Sequence, residues 1–282
     1  MSRQSAPTIT DRTRCGPTSV RTARESPGPV GGVRSRTRIS LCPHHTRIQL
    51  SPILFVRSVE VTNSGTTATT VHLLVALTEQ GVPRYLGSCI GDGDRFWLSV
   101  FEALRAGGVQ DVRILASARP QAMHHAATTV WPHASVHLDV PGLLRSTFDR
   151  VPRHDWMALG HDLARIHDAA DPADARTAFA ALRGTWAPRH PEVVRRWERH
   201  LDLLTERATL ANPIRQALAA GGLLTTLTTR LDHAVATGPA RTEAAILQTA
   251  NAIGEHLTRG DQPWVRRWGP VRAAFETAFP HH

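Results

Sequence analysis

The stretch ILFVRSVEVTNSGTTATTVHLLVALTEQGVPRYLGSCI, residues 53–90, decides the fold. It holds three runs of β-branched and other apolar residues. Asn63, Ser64 and Gly65 follow the first run, and Gly81 follows the second. Apolar runs cut by turn-forming residues are the signature of strands joined by tight connections. The pattern predicts strands over residues 53–61, 69–77 and 84–90, arranged as an antiparallel meander.

Immediately downstream lies IGDGDRFWLSVFEALRAGG, residues 90–108. Trp97, Val100, Phe101 and Leu104 recur at i, i+3, i+4 and i+7, which predicts one buried helix face, and Gly107 is placed to end the helix. The preceding GDGD lacks the Gly-Lys-Ser/Thr ending of a phosphate loop and the three-glycine spacing of a dinucleotide loop. A calcium loop needs oxygen ligands further on, where Phe96, Trp97 and Leu98 stand. Asp94 is therefore expected to cap the helix, with Asp92 favouring its positive end and the glycines allowing the turn.

Residues 111–117, DVRILAS, read as a fourth strand. Pro120 opens a helix with Met123, Ala126, Ala127 and Val130 on one face, and SVHLDV, residues 135–140, reads as a fifth strand. Three strands, helix, strand, helix, strand suit a mixed α/β sheet covered by helices. After Pro141 the pattern is helical. Asp155 and Asp171 are expected to cap helices, PEVVRRWERHLDLL (191–204) reads as one amphipathic helix, and three further helices close the chain. Trp156, Leu163, Phe179 and Trp197 are expected to pack this region on the sheet. The organisation predicted is a disordered basic arm (1–49), a sheet core (50–140), a helical insertion (141–212), and returning and C-terminal helices (213–282).

The arm rests on composition. Its nine arginines face only Asp11 and Glu25, and it shows no apolar periodicity, so it cannot bury enough surface to offset its ordering entropy. Across 282 residues the formal charge is +9, and every basic residue among the 33 is arginine. Such a surface attracts polyanions, although a codon bias towards arginine raises the charge equally well. The three cysteines form neither a disulfide framework nor a paired zinc motif. The longest apolar run, residues 71–77, is far short of a bilayer span, and no apolar signal core opens the chain, so a soluble cytoplasmic protein is expected. In HDLARIHD (161–168) the two histidines lie six residues apart on different helix faces, so no metal site is expected there. No serine-elbow or reactive-cysteine motif is present, and no cofactor is expected.

Several pieces share an order and spacing: LVAL to YLG (74–87), residues 90–112, VWP (130–132), TWAPRHPEVVRRWERHLDLLT (185–205) and PIR (213–215). In these the chain resembles the Mutator family of bacterial insertion-sequence transposases. The resemblance implies a ribonuclease-H-like fold with a helical insertion before the last catalytic helix. It also implies two aspartates and a glutamate holding divalent ions that cut and join DNA. Carried over residue by residue, those acidic positions fall on Leu54, Ala118 and Thr225, which are expected to converge at one end of the sheet. None is acidic. A cysteine and histidine of the family fall near Asp139 and Gly142, and are absent as well.

The expected protein is thus a catalytically inactive, transposase-like remnant with no catalytic or metal-binding residues. It is expected to bind double-stranded DNA non-specifically through Arg195, Arg196, Arg199 and the basic arm, with self-association left open. Two alternatives stand beside it: an active enzyme with displaced carboxylates such as Asp139 and Asp232, or an arginine-rich nucleic-acid or protein-binding module unrelated to transposition.

Overall fold

The computed structural model describes residues 38–42, 53–62, 68–238, 242–261 and 263–279. Six strands form one mixed sheet: β1 (Arg38–Leu41), β2 (Ile53–Val61), β3 (Thr69–Leu77), β4 (Pro83–Ile90), β5 (Ile114–Ser117) and β6 (Ser135–Leu138), in the order β1-β4-β3-β2-β5-β6. The pairs β1–β4, β4–β3 and β3–β2 are antiparallel, whereas β5 runs parallel to β2 and β6 parallel to β5. β1 corrects the expectation of an unstructured arm for residues 38–41: Arg38 pairs opposite Ile90, and its guanidinium reaches Glu243. The rest of the arm lies outside the described residues.

Period-two alternation in β2 sorts its side chains between two cores. Leu54 and Val56 face one side, against Trp97, Val100 and Phe101 of α1 (Asp94–Ala106) and Met123 of α2 (Pro120–Val130). Ile53 and Phe55 face the other, towards α8 (Asn212–Ala219), α9 (Gly222–Thr237), α10 (Glu243–Leu257) and α11 (Gly269–Ala278). The sheet is therefore the middle of three layers.

Between β6 and α8 the chain forms α3 (Val140–Phe148), a short 3-10 turn, α4 (Trp156–His167), α5 (Pro172–Trp186), α6 (Pro191–Glu198) and α7 (Leu201–Arg207). No strand interrupts them among the described residues. Leu163, Phe179 and Trp197 pack with one another's helices in a third core, which meets the sheet through Leu138 and Val140 at the end of β6. Trp156 departs from expectation: the residue is 39% exposed, and its ring lies against Phe148 and gives its N–H to the Val151 carbonyl.

Four local readings also change. The Asp155 side chain makes no cap at the start of α4 and pairs instead with Arg189 and His190. Residues 191–204 divide into α6 and α7, with His200 at the start of α7. The last helix starts only at Gly269, because Pro270 lacks the N–H that a helix interior requires. Asp94 is the first residue of α1 and makes no side-chain cap, while the Asp92 carboxylate accepts from the Gly93 N–H and pairs with Arg119. Asp171 does cap α5, accepting from the amides of Ala173 and Asp174.

Candidate nucleic-acid cleft

A cleft of about 900 Å³ opens where the end of the sheet, the insertion and α9 meet. β2 contributes Arg57 and Ser58, β3 contributes His72, and the ends of β4 and β5 contribute Asp92, Ala118 and Arg119. From the insertion come Arg145, Asp149, Arg150, Arg196, Arg199 and His200, and from α9 come Thr228 and Asp232.

The register places its floor. Val56 pairs with Ser117 at the end of β5, so Ala118, the next residue, stands beside Arg57. Leu54 pairs with Leu115, lower in the sheet, and is wholly buried among the apolar residues under α1. Leu54 is thus not brought to the cleft with Ala118, and the residue that meets Ala118 there is Arg57. Thr225 is exposed on α9, one turn before Thr228, which lines the cleft.

Arg57, midway along β2, is buried, with only 4% of its side chain exposed. Its Nη2 donates to Asp139 Oδ1 at 2.9 Å and its Nε lies 2.5 Å from Oδ2 in an ion pair, without the alignment of a second hydrogen bond. Asp139 follows β6 and also accepts from the Gly142 amide at 3.3 Å as the N-cap of α3. Two glycines let other chain segments close over the pair. A Cβ on Gly142 would lie 2.6 Å from Asp139 Oδ2, and one on Gly221 would lie 2.7 Å from the Cβ of Pro141.

The other carboxylates of the cleft are engaged to different degrees. Asp92 pairs with Arg119 at 2.9 Å and Asp232 with Arg145 at 3.2 Å, whereas Asp149 and Glu60 make no ion pair among the described residues. Asp232 has its carboxyl raised above the usual range by burial, against which the Arg145 guanidinium works. Of the sequence-predicted arginines, Arg196 and Arg199 line the cleft. Arg195 points away on the exposed face of α6, where it pairs with Glu192.

His72 is held by two contacts. Its Nε2 lies 3.0 Å from the Gly91 carbonyl, which can only accept, so Nε2 carries the proton and Nδ1 accepts from the Ser58 hydroxyl at 2.8 Å. Burial lowers its pKa to about 4, against a partial rise from the Gly91 contact. Burial likewise lowers His137 of β6 to about 4. Between the unfolded value of 6.5 and about 4 the unfolded chain holds the extra proton, so these histidines cost stability as the pH falls through that window. Each is expected to contribute a slope of up to about 1.4 kcal/mol per pH unit. Urea titrations between pH 7.5 and 5 on the parent and on His72→Gln will check this, since parallel profiles would leave His72 no part in it.

Among the described residues no group of three or more His, Cys, Asp and Glu side chains is gathered as for a metal ion, and no helix is long and apolar enough to cross a membrane. Sequence reasoning missed Arg57 and Arg150. The first carried a signal, because period-two alternation from Ile53 and Phe55 puts residue 57 on an inward face, where an arginine needs a partner.

The chain is similar to known proteins over the part that builds this cleft. A family model described as transposase, Mutator family, matches residues 52–239. The chain is 23% identical over 203 residues to a probable transposase for insertion sequence element ISRM3-like from Sinorhizobium fredii (strain NBRC 101917 / NGR234). It has the same identity to the transposase for insertion sequence element ISRM3 from Rhizobium meliloti (strain 1021). Each alignment covers 69% of this chain and 51% of the relative, so the chain spans about half the length of the curated relatives it matches. With the family model matching from β2 to the end of α9, the chain belongs to the Mutator family of transposases.

Proposed function

We propose that the chain is a transposase-like, DNA-binding protein with a ribonuclease-H-like core, in which metal-dependent strand cutting and joining has been lost. The sheet order supports the fold: an antiparallel meander with β2 at its inner edge, then two parallel strands beyond it. One observation carries the loss of chemistry. Where β5 ends beside the middle of β2, the cleft floor offers the Arg57 guanidinium and the Ala118 methyl group.

Divalent ions of the kind the family uses take hard oxygen ligands. Arg57 has no lone pair to offer and carries the sign of the ion, and Ala118 has no donor at all. The residues present do not fit such an ion. Nor do the displaced carboxylates favour the active alternative: Asp139 is held by Arg57, and Asp232 by Arg145.

Binding to double-stranded DNA rests on charge. The chain carries +9, and Arg196 and Arg199 line a cleft open to solvent. Guanidinium groups pair with phosphates and release counterions, without reading bases. Cytoplasmic placement belongs to the same proposal.

Purified protein with supercoiled DNA and Mn²⁺ is expected to produce no nicking. Nicking that disappears in an Asp139→Ala, Asp232→Ala double variant would instead establish displaced-carboxylate catalysis. Duplex binding is expected to weaken steeply with salt, and Arg199→Ala should flatten the slope of log affinity against log salt by about 0.9. Affinity that does not change with salt would reject the electrostatic account.

A further inference from the structure

The insertion makes one wall of the cleft basic. Arg150 follows α3, Arg196 stands on α6, and Arg199 and His200 occupy the turn into α7. None of the three arginines makes an ion pair among the described residues, and the nearby Asp92 and Asp232 are committed to Arg119 and Arg145. Arg196 Nη2 donates to the Ser146 hydroxyl at 2.9 Å, but its Nε is buried without an acceptor. His200 Nδ1 is buried beside it and also lacks a partner.

The three cations act on one another. Burial lowers the pKa of Arg196, and the charges of Arg150 and Arg199 lower it further; His200 is lowered by burial and by Arg196 and Arg199. Gathering like charges around a half-buried donor raises the free energy of the empty cleft. An anion seated between them would reverse that sign, and guanidinium forks match the oxygens of a tetrahedral oxyanion.

We propose that Arg150, Arg196, Arg199 and His200 form a binding site for a phosphate group. The inference rests on the proposed DNA-binding reading and deepens it, because a free phosphate ion satisfies the same donors as a phosphate of a DNA backbone. Arg150 and Arg199 are exposed, so their removal leaves the packed core intact.

The test is calorimetric titration of the full chain with inorganic phosphate, at ionic strength held constant with chloride. Saturable one-site binding is expected. Arg150→Ala and Arg199→Ala should each weaken it about tenfold, as loss of a charge-assisted hydrogen bond implies. Arg195→Ala, which removes an equal charge outside the cleft, should leave it unchanged. Absence of saturable binding, or equal weakening by Arg195→Ala, would overturn the proposal. A second arm asks whether phosphate displaces a short labelled duplex. Displacement assigns the site to a backbone phosphate, whereas phosphate binding without duplex binding assigns it to the free ion and refutes only the DNA reading.

Discussion

Asp139→Asn is expected to destabilise the protein by about 3–5 kcal/mol, the cost of leaving one member of a buried ion pair without its partner. The substitution is nearly isosteric, and asparagine is as good an N-cap as aspartate, so the Gly142 amide keeps an acceptor. What is lost is the charge facing Arg57, whose side chain is 4% exposed and cannot recover its hydration while the fold stays closed. The double variant Arg57→Met, Asp139→Asn separates charge from shape. It removes the stranded cation and fills its volume with a thioether, and should recover most of the loss, because apolar replacements of buried ion pairs are often neutral or better. Urea denaturation of the parent and both variants is the measurement. A loss below about 1 kcal/mol in Asp139→Asn would mean that water reaches the pair, the range seen for exposed ion pairs.

Trp197→Ala is expected to cost a similar amount, about 3–5 kcal/mol, by a different route. The indole is fully buried in the core of the insertion, and its N–H donates to the Thr147 hydroxyl at 3.0 Å. Thr147 in turn donates to the Leu143 carbonyl, so truncation opens a cavity and also removes the bond that ties α6 to α3. Trp156→Ala provides the contrast. With 39% of that residue already exposed, its loss should be clearly smaller in the same denaturation experiment. Equal effects of the two truncations would contradict the burial that distinguishes them.

The parts of the fold most visible in the sequence are those whose side chains repeat a period. β2, β3 and β4 announce themselves by long apolar runs, and α1 by the spacing of Trp97, Val100, Phe101 and Leu104. β1 stayed hidden because four residues, Arg38–Leu41, are too few to show alternation inside an arginine-rich stretch. The break between α6 and α7 was invisible for another reason: the apolar positions on either side of it continue one stripe. The site was less legible than the fold. Motif spacing pointed to Leu54, whereas strand register put Arg57 beside Ala118, and register is set by pairing partners far along the chain. Arg150 comes to Arg196 through the packing of α3 against α6, which no local pattern encodes.

The contact between Arg57 and Asp139 also limits the paths by which this chain can change. A single Arg57→Asp step would set two carboxylates against each other in a dry contact beneath Gly142 and Gly221, where they could not both ionise. Residue 139 would have to change first, yet Asp139→Asn alone strands the cation. Each order of substitution passes through an intermediate less stable than either end. The pair therefore acts as a barrier in sequence space: under selection for a folded protein, drift can exchange its surroundings far more readily than place an acidic residue at the cleft floor.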